Sequence, residues 1–162
     1  MGITLVLISL LATIIHRYLV IKWFGIPWSV SDSYYLFERK RKGLGILFTG
    51  WTYLTTFPLL VAWLNVSESY QFLSFLACGS LLFVGTAAQF KQKLTDKVHY
   101  ISAAICLTAA ILWVVLHGYW YIPLMTFGFA IGLGARHSKW MYWIEEAAFT
   151  ATYATLLLML IF

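Results

Sequence analysis

The chain has 162 residues, of which 62% are hydrophobic and only 10% are charged, and its formal net charge is +5. Globular domains have roughly 45–50% apolar and 25% charged residues, and a core of this size could not bury so much apolar surface. The composition excludes an ordinary soluble protein and indicates an integral membrane protein whose excess apolar surface faces lipid.

Six segments are predicted to span a membrane, because each has about 20 residues with few charges. In chain order they cover residues 3–24, 44–64, 70–90, 98–117, 119–135 and 141–161. Residues 28–42, in the one long connection, are predicted to form a short interfacial helix, with a gating lid as the alternative. We therefore expect residues 1–162 to form a single all-α transmembrane domain, a polytopic bundle of about six helices.

Lysine and arginine fall almost entirely on one side of these spans. Ten of the eleven lie on that side, with Arg17 as the exception, and the connections NVSESYQ and HGYWY carry neither residue type. The others lie in the connections after spans one, three and five: Lys22, Arg39, Lys40, Arg41 and Lys42; Lys91, Lys93 and Lys97; Arg136 and Lys139. The positive-inside rule then makes these connections cytoplasmic and puts both termini outside, in a plasma membrane of the bacterial inner-membrane type.

The same distribution explains the net charge, so no nucleic-acid partner is predicted. The first segment, MGITLVLISLLATII, has no basic region or cleavage site before its charge, and it is expected to remain as an uncleaved span. Membrane lipids are the partners expected from composition alone.

Charged and imidazole side chains inside the spans are predicted to share one layer in the cytoplasmic half. Counting 1.5 Å per residue from the cytoplasmic ends places them at similar depth. They are His16, Arg17, His99, Glu145 and Glu146, with Asp32 and Arg136 at the rim of the layer. Because an ionised side chain costs about 2.5–3.5 kcal/mol at the centre of a lipid-facing helix, Arg17 is expected to pair with a glutamate.

Helical spacing suggests which glutamate points inward. A polar stripe at i, i+4, i+8 and i+11 contains Tyr142, Glu146, Thr150 and Tyr153. Glu145 lies about 100° away from this stripe. We therefore expect Glu146 to face the bundle interior and Glu145 to reach headgroup water or Lys139.

Other spans carry matching polar stripes that would outline a partly hydrated cavity open to the cytoplasm. They comprise Ser9, Thr13, His16 and Arg17; Thr49, Tyr53 and Thr56; and His99, Ser102 and Cys106. The alternative is that these hydroxyl groups join neighbouring helices. Gly128 and Gly132 form a GxxxG pair that is predicted to pack within the chain, with a homo-oligomer interface as the alternative. Cys78 and Cys106 are expected to be free thiols.

Signatures of catalysis are absent from the sequence: it has no HExxH, GxSxG, P-loop or GxGxxG motif. No cofactor is predicted. The alternative is a transition metal, zinc or non-haem iron, held across helices by His16, His99 and Glu146, with Asp32 as a further carboxylate ligand. If the protein is an enzyme, His99 would be its general base and Glu146 its acid, base or metal ligand.

The centre of the chain, FVGTAAQF followed by a short basic loop and KVHYISAA, resembles small six-span proteins of the DRAM/Sfk type and bacterial membrane proteins of similar size. Gly85, His99 and Ala103 are the recognisable elements of this resemblance. It implies a six-helix bundle with a role in membrane or lipid homeostasis, without an established catalytic mechanism.

Three functional classes follow from the sequence. The favoured one is a protein that binds or transports a small polar molecule, an ion or a lipid in a cytoplasm-facing charged cavity. Its expected ligand-binding residues are Arg17, His99 and Glu146, surrounded by His16, Glu145 and Asp32. The alternatives are a structural or regulatory membrane subunit and a membrane-embedded lipid-modifying enzyme.

Overall fold

The structure, a computed structural model, describes residues 2–89 and 93–162, with the backbone alone at 93–96. These residues form seven α-helices and no β-strand. The helices are α1 (Gly2–Phe24), α2 (Asp32–Lys40), α3 (Ile46–Val66), α4 (Gln71–Ala87), α5 (Lys93–Leu116), α6 (Tyr121–His137) and α7 (Trp140–Ile161). The predicted all-α fold is confirmed, and each predicted span overlaps one helix of the described residues.

Four helices are long and apolar enough to cross a membrane, which is consistent with a membrane protein. They are Gly2–Phe24, Ile46–Val66, Lys97–Leu116 and Trp140–Ile161. Gln71–Ala87 is apolar but has only 17 residues, and Tyr121–His137 has the same length. At 1.5 Å per residue such a helix is roughly 26 Å long, somewhat less than the hydrocarbon thickness of about 30 Å.

Helix α7 lies at the centre of the packing and contacts α1, α3, α5 and α6. Helix α1 also packs on α3, α3 packs on α4, and α4 packs on α5. The core has two parts: one around the fully buried Trp63, Trp113 and Leu156, and one around Phe37, Phe48 and Trp51. The second part joins the short α2 to α1, α3, α4 and α7.

The connection between α1 and α3 folds back onto the bundle. Its Trp28 carbonyl accepts a hydrogen bond of 3.0 Å from the backbone N–H of Tyr142, in the first turn of α7. In α2, the Tyr34 ring packs on Gly45, where an added Cβ would lie 2.5 Å from the ring. Burial and the nearby Glu38 carboxylate raise the pKa of Tyr34. The connection therefore packs against α7 and against the start of α3 at this end of the bundle.

The glycines of the helices differ in whether another helix packs against them. Gly85 of α4 packs directly against the side chain of Thr52 on α3, so these two helices approach closely there. An added Cβ at Gly128 or Gly132 would meet no atom within 4 Å, and both glycines are exposed. The prediction that this GxxxG pair packs within the chain is therefore wrong for the residues that the structure describes.

Candidate functional site

Arg17 and Glu146 form an ion pair between α1 and α7, in which Arg17 Nε donates to Glu146 Oε1. The guanidinium carbon of Arg17 lies 4.5 Å from the centre of the Trp51 ring and 5.3 Å from that of Phe149. The pair is shielded, with 10% of the Arg17 side chain and 23% of the Glu146 side chain exposed. The expected pairing of Arg17 with a glutamate is confirmed, and two aromatic rings surround the cation.

His16 connects this pair to the α1–α3 connection. Its ring stacks on Trp51 with 4.4 Å between centroids, and its Nδ1 lies 2.9 Å from Arg17 Nη1. Because a guanidinium only donates, Nδ1 must accept, and the neutral ring carries its proton on Nε2, which lies 3.3 Å from Ser33 Oγ. The Ser33 hydroxyl in turn donates to the Val30 carbonyl over 2.6 Å.

Glu145 accepts a hydrogen bond from the backbone of the same connection. Its Oε2 accepts a hydrogen bond of 2.5 Å from the backbone N–H of Val30, and the residue is only 8% exposed. The expected orientation of the two glutamates is therefore wrong, because Glu145 is the more buried one. The backbone of the connection, which helical spacing does not reveal, turns back and supplies a hydrogen-bond donor to Glu145.

A cavity of about 320 Å³ lies between the α1–α3 connection, α5 and α7. Asp32, His99 and Glu145 all line it, so three of the six predicted ligand-binding residues meet here; we call it the Glu145 cavity. The remaining lining residues are Trp28, Ser29, Ser31, Tyr35, Tyr100, Ala103, Ala104, Leu107 and Met141. Most of the polar groups come from the connection, and α5 contributes both polar side chains, His99 and Tyr100, and apolar ones.

The other three predicted residues lie elsewhere. Glu146 lines two grooves of about 610 and 550 Å³ that share Thr150 and run along α7, one beside α6 and one beside α1. His16 and Arg17 lie between α1 and α3, with Trp51 against them. The predicted layer therefore divides into an ion-pair side and a cavity side, joined through the backbone of the connection.

The hydroxyl groups at mid-depth join helices, as the alternative interpretation had it. Ser9 Oγ donates to the Thr55 carbonyl over 2.8 Å and lies 2.7 Å from Tyr153 Oη, which lies 3.0 Å from Thr13 Oγ1. Tyr53, expected on an inner stripe, is exposed. At this depth Ser9, Thr13 and Tyr153 therefore link α1, α3 and α7 in the part of the chain that the structure describes.

The sequence interpretation missed the contributions of Trp51 and Ser33. Trp51 supplies the ring that contacts both His16 and Arg17, and Ser33 accepts from His16. No motif indicates either residue, and Ser33 lies in the first turn of α2. Cys78 and Cys106 are free thiols, as expected.

The metal and catalytic alternatives are not assembled. Among the described residues there is no group of three or more His, Cys, Asp or Glu side chains that could hold a metal ion. His16 is engaged by Arg17 and Ser33, while His99 and Glu146 line different cavities. The catalytic roles of His99 and Glu146 stay a prediction, and in the structure His99 shares a cavity with Glu145.

No family description, curated protein or solved structure matches the chain. The resemblance to DRAM/Sfk-type proteins stays a prediction, and the argument for function depends on the geometry of the site.

Proposed function

We propose that the protein is a six-span membrane protein that binds or transports a small polar or amphipathic molecule through the Glu145 cavity. The membrane is the bacterial inner membrane, both termini lie outside, and the cavity lies on the cytoplasmic side. The observation that carries the proposal is the convergence of Asp32, His99 and Glu145 on one cavity.

Six crossings are supported by the alternation of the connections. With α4 and α6 counted as spans, every described lysine and arginine outside α1 lies at the same end of the bundle, as the positive-inside rule requires. Helix α6 ends with Arg136 and His137 in its last turn. Snorkelling side chains and slight bilayer thinning accommodate helices of this length at modest cost.

Binding is supported by the size and lining of the cavity. Its volume of about 320 Å³ lies at the lower end of the range of roughly 300–1,000 Å³ that is typical of small-molecule sites. Ionisable residues within membrane spans are costly and are usually retained for function. The mixed polar and apolar lining suits a small molecule or lipid headgroup with both characters.

Access from the cytoplasmic side is supported by the packing of the opposite half. There, Trp63 and Trp113 meet edge to face with 5.0 Å between centroids, and both are fully buried. Trp113 also donates from Nε1 to Ser67 Oγ. This cluster closes the bundle beyond the cavity, so a transported molecule would need a second conformation to leave on that side.

Native mass spectrometry with lipid and small-molecule analysis tests this function. Wild-type protein purified in mild detergent is expected to retain a stoichiometric ligand. The variants Glu145→Gln and His99→Ala are expected to retain about 10% or less of the bound ligand, because a hydrogen bond to a charged group contributes about 1.5–3 kcal/mol. Glu68→Gln, at an exposed residue near the other end of the bundle, is the matched control and should retain the ligand.

A second function is favoured by a different observation. Arg17, Glu146 and Glu145 tie α1, α7 and the α1–α3 connection together, which is what a structural or regulatory subunit would need. If the wild type carries no ligand and Glu145→Gln changes only thermal stability, the binding proposal is contradicted and the structural role takes its place.

A further inference from the structure

Two smaller cavities follow the Glu145 cavity into the bundle. The middle cavity has a volume of about 30 Å³, and the residues that it shares with the Glu145 cavity are Ser31, Ala103, Leu107 and Glu145. The far cavity, also of about 30 Å³, lies between α3, α4, α5 and α7, and the residues that it shares with the middle cavity are Leu81, Cys106, Leu107 and Phe149. Leu107 of α5 therefore lines all three cavities in turn.

The lining changes from polar to apolar along this series. Asp32, His99 and Glu145 line the Glu145 cavity, whereas Glu145 is the one charged residue of the described chain that lines the middle cavity. None of the described residues around the far cavity is charged, and one of them is Trp63, whose ring packs edge to face on Trp113. An ion in the far cavity would lose its water without gaining a charged partner, so the far cavity suits an uncharged group.

Water is poorly suited to the far cavity. A buried water typically makes about three hydrogen bonds to polar groups. Thr152 Oγ1 donates to the Ala148 carbonyl over 2.9 Å, and Tyr153 Oη lies 2.7 Å from Ser9 Oγ. Among the nitrogen and oxygen atoms of the described side chains that line this cavity, only Trp63 Nε1 is buried without a partner. One such donor is too few to hold a water, so the far cavity favours an apolar group.

The two inner cavities are also narrow. Each has a volume of about 30 Å³, far below that of the Glu145 cavity. An apolar cavity that accepts benzene has a volume of about 150 Å³. A ring or a branched group is therefore too wide for the inner cavities, whereas an unbranched alkyl chain has the smallest cross-section of any apolar chain.

Building on the proposed function, we infer that the ligand of the Glu145 cavity is amphipathic and carries an unbranched alkyl chain that extends past Leu107 into the middle and far cavities. Its polar group stays in the Glu145 cavity, and the chain lies against Cys106 and Phe149. Each further methylene group passes from water to an apolar surface and raises the affinity about fourfold, until the chain meets Trp63.

A series of uncharged 1-O-alkylglycerols, from the ethyl to the decyl ether, tests the inference. Native mass spectrometry of delipidated protein in detergent measures the dissociation constant of each ether. We expect the affinity to rise about fourfold with each methylene group up to a limiting chain length and to stop rising there. The tert-butyl ether is expected to bind about tenfold or more weakly than the butyl ether, because a branched group does not enter the middle cavity.

Variants of α4 locate the end of the chain. Cys78 lines the far cavity and neither of the other two, so Cys78→Leu fills the far cavity and should shorten the limiting chain length. Ala77→Leu, at another residue that lines only the far cavity, should do the same. Both variants should bind the ethyl ether as the wild type does, which shows that the Glu145 cavity is intact. Leu76→Phe, at a residue of the same helix that is 47% exposed, is the matched control and should leave the whole series unchanged.

Three results would overturn the inference: an affinity that rises without a limit, the same limit in the wild type and in both far-cavity variants, or equal binding of the butyl and tert-butyl ethers. If Glu145→Gln releases a co-purified ligand but the ether series shows no limit, the inference fails while the proposed function stands. If no ether binds and no ligand co-purifies, both fail.

Discussion

Replacing Glu146 by alanine is expected to lower the free energy of unfolding by about 3–5 kcal/mol, because it leaves the buried Arg17 cation without its partner. Arg17 is only 9% exposed, and the aromatic rings of Trp51 and Phe149 enclose it, so water cannot readily replace the carboxylate. Thermal unfolding of the detergent-solubilised protein measures the loss.

The double variant Arg17→Gln with Glu146→Gln separates the charge from the geometry. Two neutral amides can still hydrogen-bond across α1 and α7, so the double variant should recover most of the stability that Arg17→Gln or Glu146→Gln loses alone. Additive losses in the double variant would show that the two side chains act independently, and the ion pair would then have no role in fixing these helices.

Replacing Trp51 by alanine is expected to cost about 3–5 kcal/mol, the usual range for truncating a buried tryptophan. The ring is 5% exposed, stacks on His16 and lies under the Arg17 guanidinium. Removing it therefore opens a void and also weakens the ion-pair side of the site. Thermal unfolding checks the effect.

Trp120→Ala is the matched control for Trp51→Ala, because Trp120 is 60% exposed near the other end of the bundle. Its unfolding temperature in detergent should change little, as is usual for surface substitutions. Similar losses in the two variants would mean that Trp51 does not hold the site together, and that the losses reflect tryptophan truncation in general.

The helices were predictable because their signals are local. Apolar runs and the positions of lysine and arginine depend only on neighbouring residues, and each predicted span overlaps one observed helix. The pairing of Arg17 with a glutamate was predictable too, since an unpaired charge at that depth is too costly. These predictions need no knowledge of how the connection folds.

The arrangement of the site was not predictable because it depends on tertiary contacts. Helical spacing placed Glu146 inside and Glu145 outside, but the Val30 backbone donates to Glu145, and Glu146 borders grooves along α7. Trp51 carries no motif, and its role depends on where α3 packs against α1. The open space beside Gly128 shows likewise that a small-residue motif does not by itself establish close packing between helices of the described chain.

The most direct test of the account is an experimental structure of the wild-type protein crystallised from a lipidic mesophase. The account predicts density for a bound molecule between the α1–α3 connection, α5 and α7, in contact with the Glu145 carboxylate and near Asp32 and His99. A structure in which the connection lies away from α7, or in which side chains fill the Glu145 cavity, would contradict it.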